Sequence, residues 1–147
     1  MKQAMIFAAG MGTRLKPITD IMPKALVKVA GVPLLQRVIL KLKADGFSRI
    51  VVNVHHFSQQ ILDFLSANDD FGVDIRISDE SDMLLETGGG LKKASAFFDT
   101  DSPVLIHNVD ILSNVDLRQL YNKAVADDTD VLMLVSPRDT KRYLLFN

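Results

Sequence analysis

Short apolar runs alternate along this chain with stretches in which apolar residues recur every three to four positions. The runs near 3–8, 49–54, 73–78, 103–107 and 130–136 are short enough for strands. Between them, Leu34, Leu35, Val38, Ile39 and Leu42 form one stripe at helical spacing, with Pro33 suited to the first turn and Gly46 to the end. Ser58 is placed to cap a second helix whose Ile61, Leu62 and Leu65 face inward. Residues 88–98 predict a further helix. Ser113-Asn114-Val115-Asp116 reads as a capping box opening another, through about Ala126. Strands alternating with helices predict an α/β fold: one Rossmann-like, three-layer α/β/α domain over 1–147 with a mostly parallel sheet. At the end, Tyr143-Leu144-Leu145-Phe146 reads as the start of one more strand, which predicts dimerisation through an exposed sheet edge.

Composition narrows the class. The 147 residues are 48% hydrophobic and 24% charged, ordinary for one globular domain. The net charge of −1 excludes a global field drawing the chain to nucleic acid or to membrane. Without cysteine there is neither a disulfide nor a thiolate metal site. The apolar start breaks at Gly10 and is followed at once by Arg14 and Lys16, too short for a secretory signal. A soluble, cytoplasmic protein is expected. The charge is uneven, however: Arg14, Lys16, Lys24 and Lys28 face only Asp20 between Gly10 and Gly31, whereas Asp127, Asp128 and Asp130 cluster later. A basic loop in a neutral protein points to a local anion site.

That loop follows directly on the first predicted strand. Small residues leaving a strand, Ala8-Ala9-Gly10-Met11-Gly12-Thr13, let backbone N–H groups approach an anion, and Arg14 and Lys24 can neutralise it. Several converging positive groups suit a triphosphate better than one carboxylate. Two known phosphate patterns fail here. The dinucleotide G-x-G-x-x-G needs glycine where Leu15 stands, and the P-loop needs Gly-Lys-Ser/Thr where the chain has Leu15-Lys16-Pro17.

What does match is G-x-G-T-R-L-x-P followed by P-K-A-L, which resembles the signature of the sugar-nucleotide pyrophosphorylases, or sugar-1-phosphate nucleotidyltransferases. The resemblance implies a reaction between a nucleoside triphosphate and a sugar 1-phosphate, giving a nucleotide sugar and pyrophosphate. It implies that Arg14 and Lys24 are catalytic, and that Ala8, Ala9, Gly10, Met11, Gly12 and Thr13 hold the nucleotide. The second glycine cluster, Glu86-Thr87-Gly88-Gly89-Gly90, corresponds to the family's base and ribose loop, placing Glu86, Thr87, Gly88 and Gly89 in the site. Its form, L-E-T-G-G-G, resembles the branch that contains the N-acetylmuramate-1-phosphate uridylyltransferases, so uridine is the favoured base. Asp110, after the fourth predicted strand in Asn108-Val109-Asp110, matches the family's Mg²⁺-binding aspartate without its usual preceding glycine. The match extends over nearly the whole chain but only the front part of a family member. The domain is therefore expected to be C-terminally incomplete, with the sugar site and a second metal ligand beyond residue 147.

The histidines carry less. His55 and His56 are adjacent, so an extended backbone points them to opposite sides, and His107 at a strand end reads as structural. Other functions stay open. A non-catalytic nucleotide-binding module would share the Gly10–Lys24 loop. A mannose-1-phosphate guanylyltransferase or a cytidylyltransferase acting on a phospho-alcohol would differ only in base and acceptor.

Overall fold

In a computed structural model, which describes residues 1–127, 129–137 and 139, four parallel strands form a central sheet. They are β1 (Gln3–Phe7), β4 (Arg49–Val54), β5 (Asp74–Asp79) and β6 (Val104–Asn108). Their spatial order is β5-β4-β1-β6, with Ala4 opposite both Ile50 and Leu105. A small antiparallel hairpin, β2 (Lys28–Val29) and β3 (Val32–Pro33), turns through Ala30 and Gly31, both at positive φ. Two consecutive left-handed residues make the tight turn that suits a two-residue hairpin.

Helices cover both faces. On one, α1 (Leu34–Ala44), α2 (Ser58–Ser66) and α4 (Leu117–Asp127) bury Leu35, Ile39, Ile61 and Leu117 against Ile6, Ile50 and Val52. On the other, α3 (Glu86–Ala94) packs Ala94 on Met5 and Val51. The residues of each strand divide between these layers because successive side chains point to opposite faces. Burial on both sides is what a parallel sheet requires, and the three-layer α/β expectation holds. Helix α1 ends as its sequence predicts: Gly46 takes φ +88°, and the Phe47 N–H donates to the Leu42 carbonyl at 3.0 Å, a Schellman closure.

Three helix boundaries and one whole strand differ from the sequence expectation. Ser58 is the first residue of α2, not its cap; Phe57, at φ 56°, precedes the helix and no side chain caps it. Helix α4 opens at Leu117 because the Asp116 carboxylate, not Ser113, accepts from the Gln119 N–H at 2.9 Å. Helix α3 begins at Glu86, so its glycines lie inside the first turns, and it ends in a 3₁₀ turn over Ser95–Phe97. The predicted strand at 130–136 does not form. An apolar run becomes a strand only when a neighbour accepts its backbone hydrogen bonds. Residues 129–135 instead stand across a cleft of about 1280 Å³ from β6, leaving Val131 and Leu134 exposed. The predicted last strand at 143–146, and the dimer edge argued from it, lie outside the described residues. No helix among the described residues is long and apolar enough to cross a membrane.

Candidate nucleotide site

Strand order reverses between β1 and β6: from β1 the chain proceeds outward through β4 and β5, then returns to the other side. Such a switch point opens a crevice at the carboxyl ends of its two strands, where ligands of open α/β sheets bind. The glycine-rich loop leaves β1 into this crevice, and Asp110 follows β6 into it.

The loop's shape depends on Gly12. It lies in the left-handed region at φ 64°, and its carbonyl accepts from the Thr19 hydroxyl at 2.8 Å and from the Leu15 N–H at 2.8 Å. Thr19 is buried, so this contact pins the loop from beneath. Among the described residues, the N–H groups of Gly10, Met11, Gly12, Thr13 and Arg14 find no protein acceptor. A succession of free N–H groups around a left-handed residue is an anion-binding concavity. Ala8 and Ala9 differ: both N–H groups donate inward to Asn53 Oδ1, at 2.7 and 3.2 Å. What these two buried residues offer a ligand is close approach rather than donors.

Lys24 opens a short 3₁₀ turn behind Pro23 and reaches across the loop, its Nζ 3.8 Å from where a Cβ on Gly10 would stand. The same Nζ donates to Asp110 Oδ2 at 2.9 Å. Partial burial pushes the Asp110 carboxyl upward, but the hydrogen bond and charge of Lys24, with Arg14 adding its charge, hold it below the usual carboxylate range. Arg14 is exposed and, among the described residues, makes no hydrogen bond or ion pair. The crevice thus presents free backbone donors, one unengaged guanidinium and one lysine held by an aspartate. Val109, where the family's usual glycine is missing, takes no positive φ and is buried in the core, so nothing in the backbone calls for glycine there.

The second glycine cluster joins the first through residues that the sequence reading missed. Glu80 is fully buried just past β5. Its Oε1 accepts from Asn53 Nδ2 at 2.8 Å and its Oε2 from the Leu85 N–H at 3.1 Å. Leu85 precedes Glu86, which takes φ 57° at the start of α3; Glu86, Thr87 and Gly88 are exposed. Gly90 is demanded by packing, since a Cβ there would lie 2.7 Å from Glu80 Oε1. Polar Asn53 inside Ile50-Val51-Val52-Asn53-Val54 was the available signal.

The donor set suits magnesium in a limited way. Asp110 supplies one hard carboxylate with an oxygen that Lys24 does not take, and Mg²⁺ commonly uses one or two carboxylates completed by phosphate and water. No group of three or more potential ligands gathers among the described residues. His107 is buried, its Nδ1 2.7 Å from the Asn108 carbonyl, as a structural histidine would be.

Fold and crevice together define a three-layer α/β domain whose glycine-rich loop presents its free amides at the switch point of a parallel sheet. The nucleotidyl transferase family profile matches residues 3–144, and the chain belongs to that family. The N-acetylmuramate alpha-1-phosphate uridylyltransferase of Caulobacter vibrioides is 44% identical over 111 residues, covering 74% of this chain and 46% of that protein. The enzyme of the same name from Neisseria meningitidis is 39% identical over 122 residues, covering 83% and 52%. Among solved structures, HddC from Yersinia pseudotuberculosis complexed with GMP-PN is similar with a TM-score of 0.75 at 26% identity, over 85% of this chain and 55% of that one. The chain spans about half the length of the curated relatives it matches.

Proposed function

We propose that this chain is the nucleotide-binding part of a sugar-1-phosphate nucleotidyltransferase, with UTP as its favoured triphosphate. The observation that carries this reading is the run of free N–H groups from Gly10 to Arg14, beside Lys24 and Asp110, at the β1/β6 switch point. The identity to two uridylyltransferases supports the base. The likeness to a protein complexed with GMP-PN keeps guanine in view.

The chemistry follows from charge. A sugar phosphate is already an ionised nucleophile, so in-line attack on the α-phosphorus needs positioning and neutralisation rather than a general base. The Gly10–Thr13 amides would cradle the phosphates, and Arg14 would hold the departing pyrophosphate. Lys24 would stabilise the negative charge that builds on the α-phosphate. Asp110 would hold Mg²⁺, which when bound supplies further neutralisation of phosphate oxygens. Until an anion enters, Lys24 and Asp110 neutralise each other, which keeps the lysine poised over Gly10.

The test is calorimetric titration with UTP, GTP, CTP and dTTP, each with Mg²⁺, followed by a pyrophosphate-release assay with sugar 1-phosphates. Selective binding of UTP that is lost in Lys24→Ala and Arg14→Ala is expected. Turnover in Lys24→Ala should fall by roughly 10²–10³ while the fold survives. Undiminished turnover in that folded variant would remove Lys24 from the mechanism. Binding without pyrophosphate release would favour a nucleotide-binding module.

A further inference from the structure

Four hydrogen bonds run unbroken from one glycine-rich segment to the other. Ala8 and Ala9 donate to Asn53 Oδ1. Asn53 Nδ2 donates to Glu80 Oε1, and Glu80 Oε2 accepts from the Leu85 N–H. Both side chains are buried, Asn53 at 2% exposure and Glu80 at 0%. A buried carboxylate and a buried amide are retained at a cost unless every polar atom is matched, and these match with direction: donor, acceptor, donor, acceptor. The pair also fits tightly. Gly90 brings α3 against both side chains, a Cβ there lying 2.7 Å from Glu80 Oε1 and 3.2 Å from Asn53 Nδ2.

We infer that Asn53 and Glu80 are positioning residues: their relay sets the distance and orientation between the phosphate loop after β1 and the segment that opens α3. Neither needs to touch the ligand. Ala8 and Ala9 are fixed inward, which turns the following amides, Gly10 to Arg14, away from the sheet and leaves them free. Leu85 is fixed by the same carboxylate, which places Glu86 and Thr87 opposite that loop. The two ends of one nucleotide would therefore be held by one buried network, and a change at either side chain would be felt at both ends. The link to a nucleotide rests on the function proposed above, whereas the mechanical coupling does not.

The polarity of the relay provides its test. Asn53→Asp keeps an acceptor for Ala8 and Ala9 but sets a second carboxylate against Glu80, and like charges at that separation repel. Glu80→Gln leaves an amide donor facing the Leu85 N–H, or its acceptor turned from Asn53. The double variant Asn53→Asp/Glu80→Gln reverses the central hydrogen bond and satisfies every group again. Amide hydrogen exchange without ligand, and the affinity for UTP with Mg²⁺, are measured on wild type, both single variants and the double variant.

Each single variant should accelerate exchange at Leu85 together with Ala8 and Ala9, and weaken UTP on the order of tenfold, as one lost buried hydrogen bond implies. The double variant should restore both. Exchange that changes only on the substituted side, or a folded double variant whose exchange and affinity stay impaired, overturns the relay. If the single variants do not fold, a double variant that folds and binds as wild type does supports it, and one that also fails to fold overturns it. Should wild type bind no triphosphate, the nucleotide reading falls, and the exchange pattern alone decides the coupling.

Discussion

A methyl group added at position 12 would meet Thr19 Cγ2 at 2.8 Å and Lys24 Cβ at 3.1 Å, on a backbone already at φ +64°. Left-handed backbone with a side chain and an overpacked contact each cost about 1–3 kcal/mol. Gly12→Ala should therefore lose about 2 kcal/mol or more of stability and displace the two residues that shape the anion loop. Denaturant unfolding checks the first part, and UTP titration of the folded fraction checks the second; unchanged stability would refute the packing argument. Glu86 presents the converse case. It carries a side chain at φ 57° and is exposed, so Glu86→Gly relieves strain and should raise stability by up to about 1 kcal/mol. Local signals of this kind could be read from the sequence. Gly10-Met11-Gly12 announced its turn, and Arg14 and Lys24 announced an anion. Thr19 did not, because its role depends on a hydrogen bond to a carbonyl seven residues earlier, which no spacing rule specifies.

Helix α3 shows how differently neighbouring glycines act once they share an element. A Cβ on Gly88 meets nothing within 4 Å, whereas on Gly90 it would strike Glu80 Oε1. Glycine inside a helix is disfavoured relative to alanine by roughly 0.5–1 kcal/mol. Gly88→Ala should raise the melting temperature by a few degrees for that reason, and Gly90→Ala should lower it. Equal shifts in both would mean that α3 does not approach the Asn53–Glu80 pair. The element pattern itself was largely readable. The central strands at 49–54 and near 3–8 emerged because burial on both faces of a parallel sheet leaves nearly unbroken apolar runs. The edge strand near 73–78 emerged instead through the alternation of Val73, Ile75 and Ile77 with polar residues. The one near 103–107 emerged through the short apolar run Val104-Leu105-Ile106. The run at 130–136 is as apolar but stands across a cleft from β6 and pairs with no strand among the described residues, and composition cannot report that separation. Nor could sequence join Asn53 to Glu80. Their meeting follows from the β4–β5 register, which sets Asn53 opposite Ser78 and Val54 opposite Asp79.

Protonation acts on the molecule as a whole, and its groups titrate in two separate windows. Burial, the largest influence on His107, pushes it below 6.5; the nearby Lys41 charge acts the same way, against its hydrogen bond to the Asn108 carbonyl and the charge of Asp110. Asp74 lies below 3.8 chiefly through the Arg49 hydrogen bond, opposed by burial and aided by Arg76. Asp79 is held low first by the Ser81 hydroxyl, then by the Ser81 N–H. Asp110 is also low, the Lys24 contact outweighing burial. In every case the folded group binds its proton less readily than the unfolded one, so the unfolded state takes up more protons as pH falls. The stability these groups contribute is complete above the unfolded values and is lost on descent through the folded ones. His107 therefore begins to destabilise the fold as pH drops below 6.5, while the aspartates act only near and below 3.8. The aspartates are partly exposed, so each contributes about 1 kcal/mol or less. Urea unfolding between pH 8 and 3 should show a plateau above 7, a first decline beginning near 6.5 and a second below 4. His107→Gln removes the titrating group at the first step and should flatten the curve from 7 to 5 while leaving the lower decline intact. A first decline that persists in this variant would assign it to other groups, and the buried histidine would then be a packing residue without influence on the acid response.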